Sequence, residues 1–217
     1  SGPLLQINTP YYNRGSTETS GMDVEMAMRN NLGNWGKLSS RLNIQYIISY
    51  RIQENKGDFE TNVVGQRSNY ADWNLNTGAS NPRFKANFST SWDYREHSLS
   101  MSVRHVDGIS LMRWSENGTD YAKPFCQFDA SMKGAEGTNA TQSKYMQYFP
   151  DCKIPSWTTV GLAYSYSGFK NWNLSFNVQN LFNKKAPYDP DQTTSGYSQS
   201  LHNNYGRVYG ASASYSF

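Results

Sequence analysis

The stretch NWNLSFNVQNLFNKKAPYDP, residues 171–190, decides the fold. In its first half Trp172, Leu174, Phe176 and Val178 alternate with Asn173, Ser175, Asn177 and Gln179. Successive side chains of an extended strand point to opposite faces, so a period of two builds a strand with one apolar and one polar face. The final residues, GRVYGASASYSF (206–217), repeat the pattern, setting Tyr209, Ala211, Ala213, Tyr215 and Phe217 against Val208, Gly210, Ser212, Ser214 and Ser216. Only Val208 breaks the polar set.

Working upstream, the same parity returns in every extended stretch. Met22, Val24, Met26 and Met28 oppose Asp23, Glu25 and Arg29. Leu38, Leu42, Ile44, Tyr46, Ile48 and Tyr50 oppose Lys37, Arg41, Asn43 and Gln45. Phe84, Ala86, Phe88, Trp92 and Tyr94 oppose Lys85, Asn87, Ser89, Ser91 and Asp93. Leu99, Met101 and Val103 oppose Ser98, Ser100, Ser102 and Arg104, and Val160, Leu162, Tyr164 and Tyr166 oppose Thr159, Gly161, Ala163 and Ser165. A weaker candidate, LLQINTPYY at 4–12, brings the expected total to about eight antiparallel strands. The stretches end at Asn/Gly clusters such as NNLGNWG and SGFKN, which are turn signals.

Composition narrows the solvent. The chain has 217 residues, 37% hydrophobic and 17% charged, with 15% aromatics and 16 Tyr. No apolar run is long enough for a membrane helix, yet a membrane β-barrel alternates and keeps its mean hydropathy low. A net charge of +3 with dispersed basic residues gives no nucleic-acid footprint. The chain starts on Ser1 and carries no signal-peptide pattern, which suggests a removed leader or a piece of something longer.

Three features favour the membrane over a water-soluble β-sandwich. The strands run about 10–14 residues, longer than the usual 5–6 and suited to a tilted bilayer crossing. Connections alternate, short near 32–36, 95–97 and 168–171, long at 51–82, 114–154 and 183–204, which is the outer-membrane pattern of short periplasmic turns and long outer loops. Aromatics crowd the strand ends (Tyr46, Tyr50, Trp92, Tyr94, Trp157, Tyr164, Tyr166, Trp172, Tyr209 and Tyr215), where an interfacial girdle belongs. Arg29, Lys37, Arg41, Lys85 and Arg104 all share the polar parity. A basic residue facing mid-bilayer costs about 2–4 kcal/mol, so that face is the lumen. RHVDG (104–108) strains the pattern by placing His105 and Asp107 on the apolar parity. Either a bulge or a strand already clear of the bilayer accounts for it.

Cys126 and Cys152 lie in a polar stretch without metal-ligand spacing and read as a disulfide across a long loop in an oxidising compartment, with two free thiols as the alternative. Such a closure contributes about 3 kcal/mol. Asp189 and Asp191 in DPDQTT read as a solvated turn, and no metal, cofactor or catalytic residue is assigned. The three histidines, His97 in an expected short turn, His105 in a strand and His202 in a loop, have no Ser or Asp at catalytic spacing. No enzyme activity is expected.

The residues of 171–190 followed by 206–217 resemble the last two strands of TonB-dependent outer-membrane receptors, whose penultimate strand closes on an N-L-F-(N/D)-K box and whose chain ends in alternating aromatics and a terminal Phe. SGMDVEMAMRNNLGNWGKLSSRLNIQYIISY (20–50) looks like that family's G-x-E strand, turn and following strand, and NPRFKANFSTSWDY (81–94) like its Pro-started strand. The resemblance implies that residues 1–217 are the C-terminal part of a 22-stranded barrel with no plug domain in this chain, the remaining strands and plug coming from another chain or a missing segment. It further implies a Gram-negative outer membrane rich in lipopolysaccharide, energised uptake of a scarce siderophore, carbohydrate or peptide, coupling to inner-membrane TonB through the plug, and Phe217 as the outer-membrane assembly signal. Loop aromatics Trp73, Trp114, Tyr121, Phe125, Tyr145, Tyr148 and Tyr197 are candidate ligand contacts, with packing in the loops or the headgroup belt as the competing account. A self-contained eight-stranded barrel with a structural, adhesive or binding role is the alternative reading.

Overall fold

Alternating sequences can bury only one face, so they pair edge to edge and leave the other face to a different environment. The computed structural model describes residues 15–53, 56–57, 60–66, 81–110, 153–189 and 194–217. Its elements are β1 (Ser16–Asn31), β2 (Lys37–Gln53), β3 (Thr61–Asn62), β4 (Phe84–Tyr94), β5 (His97–Val106), β6 (Ile109–Ser110), β7 (Lys153–Ile154), β8 (Trp157–Tyr166), β9 (Trp172–Gln179) and β10 (Val208–Tyr215), with one 3-10 turn at Gly33–Trp35. The seven long strands form one antiparallel sheet in the order β1-β2-β4-β5-β8-β9-β10, with β3 attached to β2. Neighbours in the sheet are neighbours in sequence, so every connection is a plain reversal. β6 and β7 form a separate small pair at the end of the long connections.

The sheet is open. Each strand runs against its neighbour, so with seven long strands β1 and β10 point the same way. Joining them directly would make a parallel pair, whereas bacterial outer-membrane barrels close antiparallel with an even strand count. The lengths do not match either, 16 residues in β1 and 8 in β10. The strand expected over 4–12 lies outside the described residues.

The apolar face is bare. Met26 is 56%, Phe176 48% and Leu99 44% exposed on it. Among the described residues the buried apolar side chains are Val63, Val64, Val106, Ile109, Ile154, Trp157, Val178 and Leu201, all but Val178 at the end of the sheet where the long connections meet; Val178 pairs with Leu162 in the middle of β8. A soluble sandwich would bury the strand centres; here those centres face lipid, and protein-like packing starts only above them. Two breaks in the alternation are compatible with this. Ser40 and Thr90 both stand on the apolar face, directly opposite each other in the register, and their hydroxyls bond at 2.8 Å. Pairing removes the cost of leaving a hydroxyl unsatisfied against hydrocarbon.

Register settles the strain at 104–108. β5 pairs without a slip on both sides through Val106, so no bulge is present. The strand simply ends there. His105 bonds Thr158 Oγ1 at 2.7 Å and packs against Phe84, while the Asp107 carboxylate accepts the N–H of Gly108. One bulge does occur: the register shifts between Ser20 and Gly21 of β1, leaving Ile48 of β2 as the extra residue. His97 is not in the turn: the reversal takes only Arg95 and Glu96, and His97 opens β5 with its Nδ1 2.7 Å from the Tyr164 hydroxyl.

The turn joining β1 to β2 depends on Gly36, which has φ 87° and ψ −147°, a region closed to side chains. An added Cβ would also overlap the main-chain carbonyl of Asp93. Gly36→Ala is therefore expected to destabilise the barrel by on the order of 2 kcal/mol or more, read from urea unfolding of the protein in detergent. Gly33→Ala, whose Cβ would meet nothing within 4 Å, should cost less despite its own positive φ.

Candidate functional site

The polar face encloses a concavity of about 500 Å³, floored by small side chains such as Ser89, Ser91, Ser102 and Gly161 and flanked by Arg29 and Arg41. Small residues are what a concave wall needs if another body is to approach its backbone closely. Ser175 and Ser212 bond each other across β9 and β10 at 2.7 Å on this face. Arg41 reaches Glu25 at 3.5 Å, but both side chains are more than half exposed, so the pair contributes little to stability.

At the long-connection end three segments knit together. Asn62 Oδ1 accepts the N–H groups of Tyr50 and Val64, which holds β3 against β2. Gly65 then donates to Asn81 O and accepts from Ser110 N at 2.7 Å, tying the first long connection to β6. The third connection leaves β9 through the NLFNKK box. Asn180 and Asn183 both adopt left-handed backbone, φ 51° and 52°, which Asn tolerates better than any other side-chain-bearing residue except Asp. The Asn180 amide closes the turn on Lys184, donating to its carbonyl and accepting its N–H, both at 2.8 Å. Asn183 Oδ1 accepts the N–H of Arg207 at 3.0 Å, so the same box aligns the start of β10. The physical reason for asparagine at both positions is a reversed backbone with donors and acceptors to satisfy.

Beyond the box, residues 194–207 fold back over the polar face as an arm. Arg104, on the polar face of β5, donates from Nη2 to the carbonyl of Leu201 at 3.3 Å and lies over the Trp157 ring. Trp157 meets His202 edge to face, with centroids 5.5 Å apart. Trp157 was expected in the interfacial girdle. Its parity is that of Thr159 and Gly161, so it points to the polar face and is 1% exposed beneath the arm. Sequence reasoning missed the Arg104–Trp157–His202 grouping, although the odd number of Trp157 already separated it from Val160, Leu162 and Tyr164.

The opposite end carries the girdle. Trp92 and Tyr94 stack, Tyr166 meets Phe169, and Trp172, Tyr215 and Phe217 form a chain of ring contacts at 5.2 Å steps. Ser216 N still bonds Asn171 O, so pairing runs to the penultimate residue and Phe217 stands fully exposed. Of the loop aromatics, Tyr197 lies half-buried on the arm, its carbonyl accepting from Ser195 Oγ. Trp73, Trp114, Tyr121, Phe125, Tyr145 and Tyr148 lie outside the described residues, as do Cys126 and Cys152.

The profile of the family "TonB dependent receptor-like, beta-barrel" matches residues 1–181. The chain belongs to that family. Its members are outer-membrane β-barrels of Gram-negative bacteria. Among solved structures the receptor chain is similar to the siderophore receptor PiuA from Acinetobacter baumannii, with 12% identity, a TM-score of 0.48 and coverage of 93% of this chain and 22% of that one. A variant of the ferric enterobactin receptor PfeA from Pseudomonas aeruginosa gives 17%, 0.46, 92% and 22%. The copper transporter OprC gives 16%, 0.46, 93% and 23%. The chain thus spans less than a quarter of the length of the solved proteins it matches. No curated protein matches it.

Proposed function

We propose that this chain is an arc of the wall of a TonB-dependent outer-membrane receptor that imports a scarce ligand of the siderophore, carbohydrate or peptide class. The observation that carries the reading is the open sheet itself: one face bare and apolar, the other concave, polar and floored by small residues, with β1 and β10 each unpaired along one edge among the described residues. Lipid does not tolerate unpaired backbone, so further strands must flank β1 and β10. The concave face suits a plug packed within the barrel, and coupling to TonB runs through that plug rather than through these residues. The long-connection end faces outward, where the loop aromatics, including Tyr197, are available to a ligand and Cys126 and Cys152 brace their loop. Lipopolysaccharide surrounds the outer half of the wall, and Phe217 at the opposite end marks the strand that the assembly machinery engages. The reading assigns no catalysis.

Non-denaturing purification in detergent, followed by intact-mass measurement and peptide sequencing, tests this. The expected result is that plug and additional strand sequence accompany these residues, in one chain or two. A species of these residues alone that still migrates differently when heated would overturn the reading and leave a self-contained eight-stranded barrel, which would need 4–12 as its closing strand.

A further inference from the structure

We propose that the arm at 194–207 is an acid-released clamp, lying on the polar face of β5 and β8 while His202 is neutral and freed when His202 gains a proton. The inference rests on the geometry of the arm and does not depend on what the receptor imports.

His202 is 6% exposed. Its backbone N–H bonds Ser198 O at 2.9 Å, which fixes the turn that delivers the ring edge-on to Trp157. Its Nδ1 has no hydrogen-bond partner among the described residues, and neither does Nε1 of Trp157. An added proton on Nδ1 would therefore be a buried donor with no acceptor. The charged groups whose fields reach the ring are Arg104 from β5 and Asp189 from the connection that carries the arm. On β8 the adjoining residues Trp157, Thr158 and Thr159 carry no charge. Lys85 stands one strand further, across from Val106.

An imidazolium at this position would place a buried positive charge beside the guanidinium of Arg104, which stays partly open to solvent and holds Leu201. Burial foremost, then Arg104, hold the His202 imidazole below its ordinary value of 6.5, against the opposing influence of Asp189 and the Ser198 hydrogen bond. The folded value is depressed, so the released arm takes up the proton more readily than the docked arm. Docking stability is thus complete above the ordinary imidazole value and declines as pH falls below it. The clamp is also weak enough to respond: two buried nitrogens without partners each cost about 1–3 kcal/mol. Release would uncover the Trp157 and Val106 faces, which are buried at the top of the concave wall.

Hydrogen–deuterium exchange on the purified receptor in detergent, from pH 7.5 to 4.5 and corrected for intrinsic rates, reads the arm directly. Amides of 198–206 are expected to lose protection below the ordinary imidazole value while those of β8 keep theirs. The ring carbon-bound proton of His202, exchanged in the same samples, should titrate over the same interval. Protection that stays level, or that is lost in an interval where His202 does not titrate, would overturn the proposal. His202→Gln, neutral at every pH, should hold the arm docked throughout; acid release that persists in a docked His202→Gln arm would overturn it equally. Should glutamine fail to dock, the unmodified protein's two readouts still decide.

Discussion

Phe88→Arg is expected to lower the stability of the folded barrel by about 2–4 kcal/mol, whereas Ser89→Arg, one residue along, should cost clearly less. The two positions share a strand and differ only in face. Phe88 sits at the centre of β4 between Leu42 of β2 and Val103 of β5, on the apolar side. A guanidinium there must either enter hydrocarbon or drag water to mid-bilayer, and its neighbours offer no counter-charge. Ser89 points into the polar concavity between Arg41 and Ser102 in the register, where a long cation can stay hydrated. Urea unfolding of the receptor in phosphatidylcholine vesicles measures both. Equal costs would mean that the bare apolar face is not the lipid face, and the membrane assignment of the sheet would fall with it.

Asn180→Ala should cost about 2–5 kcal/mol, for two separable reasons. The amide makes both of its bonds to the Lys184 backbone and is itself only 7% exposed, so truncation leaves the Lys184 carbonyl and N–H without these partners; each bond is worth about 0.5–1.5 kcal/mol net. The backbone at φ 51° adds about 1–2 kcal/mol for alanine. Asn180→Gly isolates the first term: it loses the bonds but accepts the left-handed conformation, and should recover part of the loss, about 0.5–1 kcal/mol after its greater unfolded-state freedom is counted. Thermal unfolding of the three proteins in detergent gives the order. A glycine variant no more stable than alanine would mean that backbone conformation contributes nothing at the box.

The parity argument worked because a β-barrel wall is written locally: each strand must alternate whatever the others do, and Met22 to Phe217 could be assigned to faces one strand at a time. The same argument skipped Ser40 and Thr90, whose meaning appears only when the register sets them opposite each other. The box was legible as a motif, but its mechanism needed the Asn180 and Asn183 dihedrals. The arm was not legible at all. Arg104 and Leu201 are far apart in the chain, and nothing near Leu201 or His202 announces that the third connection turns inward rather than outward. Trp157 shows the hazard: an aromatic at a strand end suggests a membrane interface, yet its parity and the arm above it make it the centre of a small soluble-like core. The loop aromatics and the cysteines have no period to read, and only tertiary contacts could place them.

The unequal strand lengths have a mechanical consequence. All hairpins are level at the short-turn end, and β2 stops pairing with β4 at Tyr46, yet it continues to Gln53 alongside β1. At about 3.3 Å per residue, this hairpin rises roughly 20 Å above its neighbour. Among the described residues the wall therefore has a sloping parapet, tall at β1–β2 and low at β9–β10. Among the described residues, the tall hairpin is the first surface that a large object arriving from that side meets. A small solute descending on the low side meets the arm.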